Sequence, residues 1–211
     1  MRVTKHEHAC MVVEIADERV VIDPGNFTTP LIDVLGVVAI VITHEHPDHW
    51  TPEQLTRILD LNQGARIFAP ASVVAQAEGF EIDAVHEGDV HEVGGFRLEF
   101  FGSQHAVIHP TIPVISNVGV MVNDSLFYPG DAFTVPPKPV DTLAAPANAP
   151  WMKVAEAMDY VTAVAPKRSF PAHEMLLSVL GKQMYYARLQ SATEAAGGVF
   201  HPLEPGDTLE L

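Results

Sequence analysis

The sequence predicts an α/β protein, and three observations carry that prediction. Hydrophobic residues make up 47% of the 211 positions, and they fall in short runs of strand length rather than in one long stretch. One run, residues 37–43, is apolar at nearly every position, as a strand buried on both faces requires, and a helix start follows at Thr51. The second half of the chain repeats this strand-then-helix order.

Taken in order, Cys10-Met11-Val12-Val13-Glu14-Ile15 and Val20-Val21-Ile22 flank the polar turn Ala16-Asp17-Glu18-Arg19, which is a hairpin pattern. The second strand stops at Asp23-Pro24-Gly25. After the buried strand 37–43, Thr51-Pro52-Glu53-Gln54 supplies a capping threonine, a proline at the first helical position and an acid in the first turn. That helix is expected to end near Gly64. A short strand at Arg66-Ile67-Phe68 follows, then a helix opened by Pro70-Ala71-Ser72, then a β-rich stretch over 84–105 broken at Gly88-Asp89 and Gly94-Gly95.

In the second half, Val118-Gly119-Val120-Met121-Val122 and Leu126-Phe127-Tyr128 flank Asn123-Asp124-Ser125, and this hairpin ends at Pro129-Gly130-Asp131. Residues 133–150 read as a proline-rich loop, too long for a connector and therefore expected to wall an active site. Val154, Met158 and Val161 keep helical spacing within a helix expected over 151–163. A strand at Arg168-Ser169-Phe170 leads to Pro171-Ala172-His173. The last helix is expected over 183–196, ended by Gly197-Gly198, and Gly206-Asp207-Thr208-Leu209 reads as a closing edge strand. No repeat, linker or low-complexity tract divides the chain, so 1–211 is expected to be one domain.

Composition removes several function classes. Lys and Arg number 12 against 27 Asp and Glu, a formal net charge of −15, which opposes the counterion-release binding of nucleic acids. The acid excess reads as a solvated surface. No apolar run approaches the roughly 20 residues of a membrane span, and the polar start Met1-Arg2-Val3-Thr4-Lys5-His6-Glu7-His8 lacks a secretory pattern. A cytoplasmic protein with no membrane partner is expected. Cys10 is the only cysteine, so a metal must be held by histidines and carboxylates.

The run Thr43-His44-Glu45-His46-Pro47-Asp48-His49-Trp50 supplies them. At an extended strand end, His44 and His46 are two residues apart and point to the same side, where two imidazoles can grip one ion. Asp48 and His49 follow as the chain turns toward the helix, and offer an oxygen and a third imidazole to a second ion nearby. Glu45 should point away by strand alternation. Two ions roughly 3.5–4 Å apart can share a water.

These residues carry a resemblance. Residues 43–49 match the His-x-His-x-Asp-His signature of the metallo-β-lactamase superfamily, and further elements resemble that family in the right order along nearly the whole chain. Asp23 looks like the early acidic residue that braces the metal loop, His105 like the isolated third-motif histidine, Asp131 like the metal-bridging carboxylate, and His173 like the final histidine ligand. The resemblance implies a four-layer αβ/βα sandwich, two mixed β-sheets flanked by helices. It also implies two divalent ions, zinc first and manganese or iron as alternatives. His44, His46 and His105 would hold one, Asp48, His49 and His173 the other, with Asp131 between. A metal-bound hydroxide would then attack a carbonyl carbon or a phosphorus, and Asp48 would orient it and accept its proton. The start Lys5-His6-Glu7-His8-Ala9-Cys10 and the compact length resemble the small branch that includes ascorbate-phosphate lactonase, in which His8 would be a bracing group; a surface position on an N-terminal strand is the other reading.

Other candidates have two readings each. His109, between prolines 110 and 113 and His105, is a loop residue near the pocket or the alternative third-motif ligand. Trp50 walls the pocket or packs in the core. Glu174 is a proton donor or a hydrogen-bond partner beside His173. His86, His91 and His201 read as surface residues, and Lys167 and Arg168 as solvated or anion-binding. The leading expectation is a hydrolase acting on a small lactone or phosphodiester. An iron-dependent oxidoreductase and a non-catalytic metal-binding sensor are the alternatives, and self-association into a homo-oligomer stays open.

Overall fold

The computed structural model describes all 211 residues. The chain begins with β1 (Arg2–Lys5), β2 (Met11–Ile15), β3 (Glu18–Ile22) and β4 (Val37–Val41), followed by α1 (Pro52–Leu61), β5 (Arg66–Ala69), the one-turn α2 (Ala71–Val74) and β6 (Asp83–Ala84). The second half comprises β7 (Val90–Val93), β8 (Phe96–Phe101), β9 (Gly119–Val122), β10 (Leu126–Tyr128), β11 (Thr142–Pro146), α3 (Val154–Val164), β12 (Arg168–Ala172), α4 (Val179–Ala195), β13 (Val199–Phe200) and β14 (Thr208–Glu210). No helix is long and apolar enough to cross a membrane.

The strands form two mixed sheets of seven, ordered β14-β1-β2-β3-β4-β5-β6 and β13-β12-β11-β10-β9-β8-β7. Strand alternation sorts their side chains into layers. Val13, Val20, Ile22, Ala39 and Val41 of the first sheet meet Phe96, Phe100, Val120, Val122 and Phe170 of the second in one inter-sheet core. The alternate residues Val12, Val21 and Ile40 face outward onto Leu55 and Ile58 of α1, while Met121, Phe127 and Leu143 face Ala157, Val161 and Leu189 of α3 and α4. The result is the expected four-layer αβ/βα sandwich. Full burial of Leu55 and Ile58 contributes roughly 1.5–3 kcal/mol each. The start of α1 follows the sequence: Thr51 Oγ accepts from the Gln54 amide at 3.2 Å, with Pro52 inside the first turn.

Three boundaries differ from expectation. Residues 133–150 are not one loop, because Thr142–Pro146 is a parallel strand between β10 and β12. Its Thr-Leu-Ala-Ala-Pro sequence has little β-propensity, and it is a strand because small side chains fit a site buried on both faces. Trp151 precedes α3 rather than opening it, since the helix starts at Val154. The last helix starts at Val179, where Ser178 Oγ caps the Gly181 amide at 3.1 Å. The closing strand is present as β14, antiparallel to β1.

Candidate metal centre

The loops that leave β3, β4, β8, β10 and β12, together with the turn before β2, meet at one edge of the sandwich. Two groups of side chains form there, His44, His46, His105 and Asp131 in one, and His8, Asp48, His49 and His173 in the other. Within each group the potential ligand atoms lie within 4.8 Å of one another. The seven expected residues are therefore brought together in two groups like those the resemblance implies, with Asp131 grouped with the first and His8 joining the second.

Each imidazole is aimed by what its far nitrogen does. His105 Nδ1–H donates to the Ala106 carbonyl at 2.5 Å and His173 Nδ1–H to the Asn148 carbonyl at 2.6 Å. Carbonyl oxygens only accept, so both rings carry a proton on Nδ1 and turn Nε2 inward. His49 Nδ1–H donates to Asp23 Oδ2 at 2.6 Å. Thr43 gives its hydroxyl proton to that same oxygen at 2.7 Å, which leaves the hydroxyl oxygen to accept from His44 Nδ1–H at 3.0 Å. Asp23, wholly buried, also receives the Thr43 amide at 2.8 Å. One carboxylate and one hydroxyl thus set two rings.

Asp131 sits between the groups. Its Oδ1 is 3.3 Å from His49 Nε2, and its Oδ2 is 3.4 Å from His105 Nε2 and 3.2 Å from His173 Nε2. The Trp151 indole N–H donates to Oδ2 at 2.7 Å. Asn117, fully buried, accepts the Asp131 amide at 3.0 Å and donates to the Pro129 carbonyl at 2.9 Å, which fixes the turn that carries Asp131. Gly130 allows that turn: its φ is +65°, and a Cβ there would lie 2.8 Å from Thr43 Cβ.

The donors fit metal ions. The buried atoms His49 Nε2, His105 Nε2, His173 Nε2 and Asp131 Oδ1 have no hydrogen-bond partner, although an unpaired buried polar atom costs about 1–3 kcal/mol. His44 Nε2 and His46 Nδ1 are 3.0 Å apart, near the roughly 3.4 Å between two nitrogens each about 2.0–2.1 Å from a tetrahedral ion. His8, Asp23 and His173 all adopt the left-handed region, with φ of 60°, 47° and 61°, strain of about 1–3 kcal/mol each that tends to mark functional sites.

The electrostatics agree. Burial, reinforced by His49, holds the His44 imidazole well below its usual range. Burial likewise pushes His49 and His173 down, but Asp131 outweighs it in both. With help from Asp23 it holds His49 at about 9, and with help from Asp48 it keeps His173 well above the ordinary value. Burial raises the Asp48 carboxyl, yet His173, 3.6 Å away, and a hydrogen bond from His8 more than offset this and keep it below the usual carboxylate range. The carboxylates therefore favour positive charge at this edge, as imidazolium or as a bound cation, and cation binding would release protons.

The remaining candidates are placed as follows. His8 is buried and its Nε2 lies 3.0 Å from Asp48 Oδ2. Trp50 packs with Leu55 and Ile58 in the core beneath α1. His109 is exposed, with Nδ1 accepting from the Thr111 amide at 3.2 Å, and His105 rather than His109 stands beside Asp131. Glu174 is buried and paired with the buried Lys5 at 2.6 Å, with its Oε2 unpartnered. Arg168 and Lys167 pair with Asp141. A cavity of about 580 Å³ between α3 and α4 shares no residue with either group. Trp151, Lys5 and Asn117 were not singled out by the sequence. A lone tryptophan before a helix and a lysine in a polar start carry no pattern that marks them.

The β-lactamase superfamily domain matches residues 2–173. Protein Rv0786c of Mycobacterium tuberculosis is 41% identical over 198 residues, covering 92% of this chain and 93% of that one. Igni18, a metallo hydrolase from the archaeon Ignicoccus hospitalis, superposes with a TM-score of 0.73 at 19% identity over 100% of this chain and 98% of its own. CmlA, a diiron β-hydroxylase from Streptomyces venezuelae, gives 0.71 at 14% identity over 100% of this chain and 54% of its own.

Proposed function

Because this chain belongs to the β-lactamase superfamily, we propose that it is a metal-dependent hydrolase acting on a small ester-like molecule. The observation that carries the proposal is the convergence of four buried, unpartnered donor atoms, His49 Nε2, His105 Nε2, His173 Nε2 and Asp131 Oδ1. His44, His46 and His105 would hold one divalent ion, Asp48, His49 and His173 a second, and Asp131 would serve both. The imidazole-rich set suits zinc and also accepts manganese or iron. When bound, such ions supply a water nucleophile at neutral pH and electrostatic stabilisation of a developing oxyanion.

The chain's own groups do the rest. Asp48 is the carboxylate of the cluster open to solvent, its side chain 23% exposed against 4% for Asp131. Held ionised by His173 and His8, it would orient the attacking water and take its proton. Trp151 occupies one lone pair of Asp131 Oδ2 and fixes the carboxylate plane. His105 and His173 keep their Nε2 atoms inward through carbonyls that cannot exchange roles.

The test is metal analysis of the purified protein, followed by assay of lactones, esters and phosphodiesters with and without chelator. Bound transition metal and chelator-sensitive hydrolysis are expected, and Asp131→Ala should lose both ions. Retention of wild-type activity in that variant would remove Asp131 from its role. A protein that binds no metal would end the proposal. An iron oxidoreductase, the reading suggested by CmlA's diiron chemistry on this fold, would instead show iron and oxygen consumption.

A further inference from the structure

The segments around the centre, residues 6–10, 23–36, 42–51, 102–117, 129–137, 147–152 and 173–181, contain no lysine or arginine. The flanking cations are mostly committed elsewhere. Lys5 is buried against Glu174, Lys138 holds Glu99 and Asp124 at 2.6 Å each, and Lys182 holds Glu204 at 2.8 Å. Lys153, at the start of α3, is exposed and makes no ion pair. A site built for a phosphodiester would present guanidinium or ammonium groups to the non-bridging oxygens.

The same segments expose apolar side chains instead. Phe27, Val107, Ile112, Val114, Val135, Met175 and Leu176 are between 40% and 59% exposed. Several are tied to the centre. The Phe27 ring lies 4.9 Å from the His8 ring, and the Met175 amide donates to His8 Nδ1 at 3.4 Å. Residues 106–114 form an excursion pinned at its base beside His105. The His105 amide donates to the Ile115 carbonyl at 2.9 Å, Gln104 bridges Ser116, and the Ala106 amide donates to the Asp131 carbonyl at 2.8 Å. Its tip, where Ile112 lies between Pro110 and Pro113 with Val107 before them and Val114 after, gathers three exposed apolar side chains on one loop beside His105, the kind of surface a ligand's apolar part would cover.

Resting on the hydrolase reading above, we infer that the substrate is an uncharged ester or lactone bearing an apolar chain, which Ile112 and Val107 on the loop beside His105 and Phe27 and Met175 beside His8 would grip. Water adds at the carbonyl carbon, the acyl C–O bond breaks with its electron pair leaving on the alkoxide oxygen, and that oxygen is protonated. The products are one carboxylate, one alcohol and one proton released to solvent.

The experiment uses the zinc-loaded full chain with p-nitrophenyl butanoate, p-nitrophenyl octanoate and bis(p-nitrophenyl) phosphate. A parallel binding assay follows the tryptophan fluorescence of the metal-free protein as 2-decanone is added. The octanoate should exceed the butanoate in kcat/KM by about tenfold, as burial of several methylenes predicts, and the phosphodiester should be at least 100-fold poorer than the octanoate. Ile112→Asp, a change at an exposed loop tip, should remove most of the chain-length preference and should weaken 2-decanone binding. Lys153→Ala should change nothing. A phosphodiester preferred over the octanoate would overturn the inference while leaving the hydrolase reading standing, as would an unchanged chain-length preference and ketone affinity in Ile112→Asp, or a loss of activity in Lys153→Ala. Absence of hydrolysis of all three probes and of any lactone by metal-loaded protein would overturn both.

Discussion

His8 Nε2 lies 3.0 Å from Asp48 Oδ2, and the proton in that contact belongs to the histidine. The Met175 amide donates to His8 Nδ1 at 3.4 Å, so Nδ1 offers its lone pair and Nε2 carries the hydrogen. This is the opposite tautomer from His105 and His173, which protonate Nδ1 and present Nε2 as a bare donor. His8 therefore holds Asp48 in place rather than adding a ligand. His8→Ala should weaken the second ion by about 10–100-fold, read by calorimetric titration of zinc into metal-free protein, and His8→Gln should recover part of that loss. The visible spectrum of the fully cobalt-loaded variant should match wild type. A changed d–d band would mean that an imidazole ligand had been lost, and the tautomer argument would fail.

Lys5 and Glu174 bind the first strand to the loop that carries His173. Their 2.6 Å pair is almost wholly buried, and Lys5 Nζ also donates to the His6 carbonyl at 2.9 Å. The backbone repeats the link where the His173 amide donates to the His8 carbonyl at 2.9 Å. Removing Lys5 leaves the buried Glu174 with only Lys182, 3.9 Å away, and breaking a buried pair costs up to about 3–5 kcal/mol, whereas replacing both Lys5 and Glu174 with apolar groups is close to neutral. Lys5→Met should lower the denaturation free energy by that amount, and Lys5→Met with Glu174→Leu should restore most of it. Equal losses in the single and double variants would show that packing, not charge, holds the loop.

The fold and the centre were legible to different depths. The short apolar runs in residues 11–22, 37–41 and 118–128 and the cap at Thr51 marked most strands and α1, because local pattern and tertiary burial agree there. β11 was not readable, since its alanines have little β-propensity and are strand residues because Ala144 is buried in the inter-sheet core and Ala145 beneath α3 and α4. His44, His46, Asp48 and His49 were legible from their clustering after a buried strand, whereas His105, Asp131 and His173, each alone at its strand end, were legible only through the family resemblance. Trp151 and Lys5 were not, because what matters for each is a partner 20 and 169 residues away. His8 lay between these cases: its position was visible, but its tautomer depends on the amide of Met175 across the fold.

Asp141 gives a pH dependence away from the centre. Arg168, with Lys167, holds its carboxyl down at about 2 against the pull of burial, below the about 3.9 expected of an unfolded chain. A folded-state pKa that is depressed contributes stability above the unfolded value and loses it as pH falls through 3.9 toward 2. The nearly two-unit shift corresponds to about 2.5 kcal/mol unscreened, and a side chain 26% exposed to solvent should retain about 1 kcal/mol of it. Asp141→Asn should lower the urea midpoint at pH 7, and its gap from wild type should be about half as large at pH 3. A gap independent of pH would show that the pair contributes through packing alone.

Gly25 connects the second-strand turn to the metal loop at van der Waals range. A Cβ on Gly25 would lie 1.9 Å from the Asp48 carbonyl oxygen and 2.5 Å from the His49 nitrogen. The turn also holds the loop directly, since the Asn26 amide donates to the Pro47 carbonyl at 2.8 Å. Both atoms crowded by the Cβ are backbone, so rotamer change gives no relief, and Gly25→Ala must displace the segment that carries Asp48 and His49. The cost should be about 1–3 kcal/mol in stability, and the larger consequence falls on geometry, because metal donors tolerate only a few tenths of an ångström. Gly25→Ala should therefore keep the wild-type far-ultraviolet circular dichroism and bind the second ion much more weakly. Gly95→Ala, where the nearest atom would be 3.4 Å away, should bind both ions as wild type does. Full metal binding by Gly25→Ala would show that the loop can shift as a unit without losing its ligands, and that the Asp23-Pro24-Gly25 turn is not what positions them.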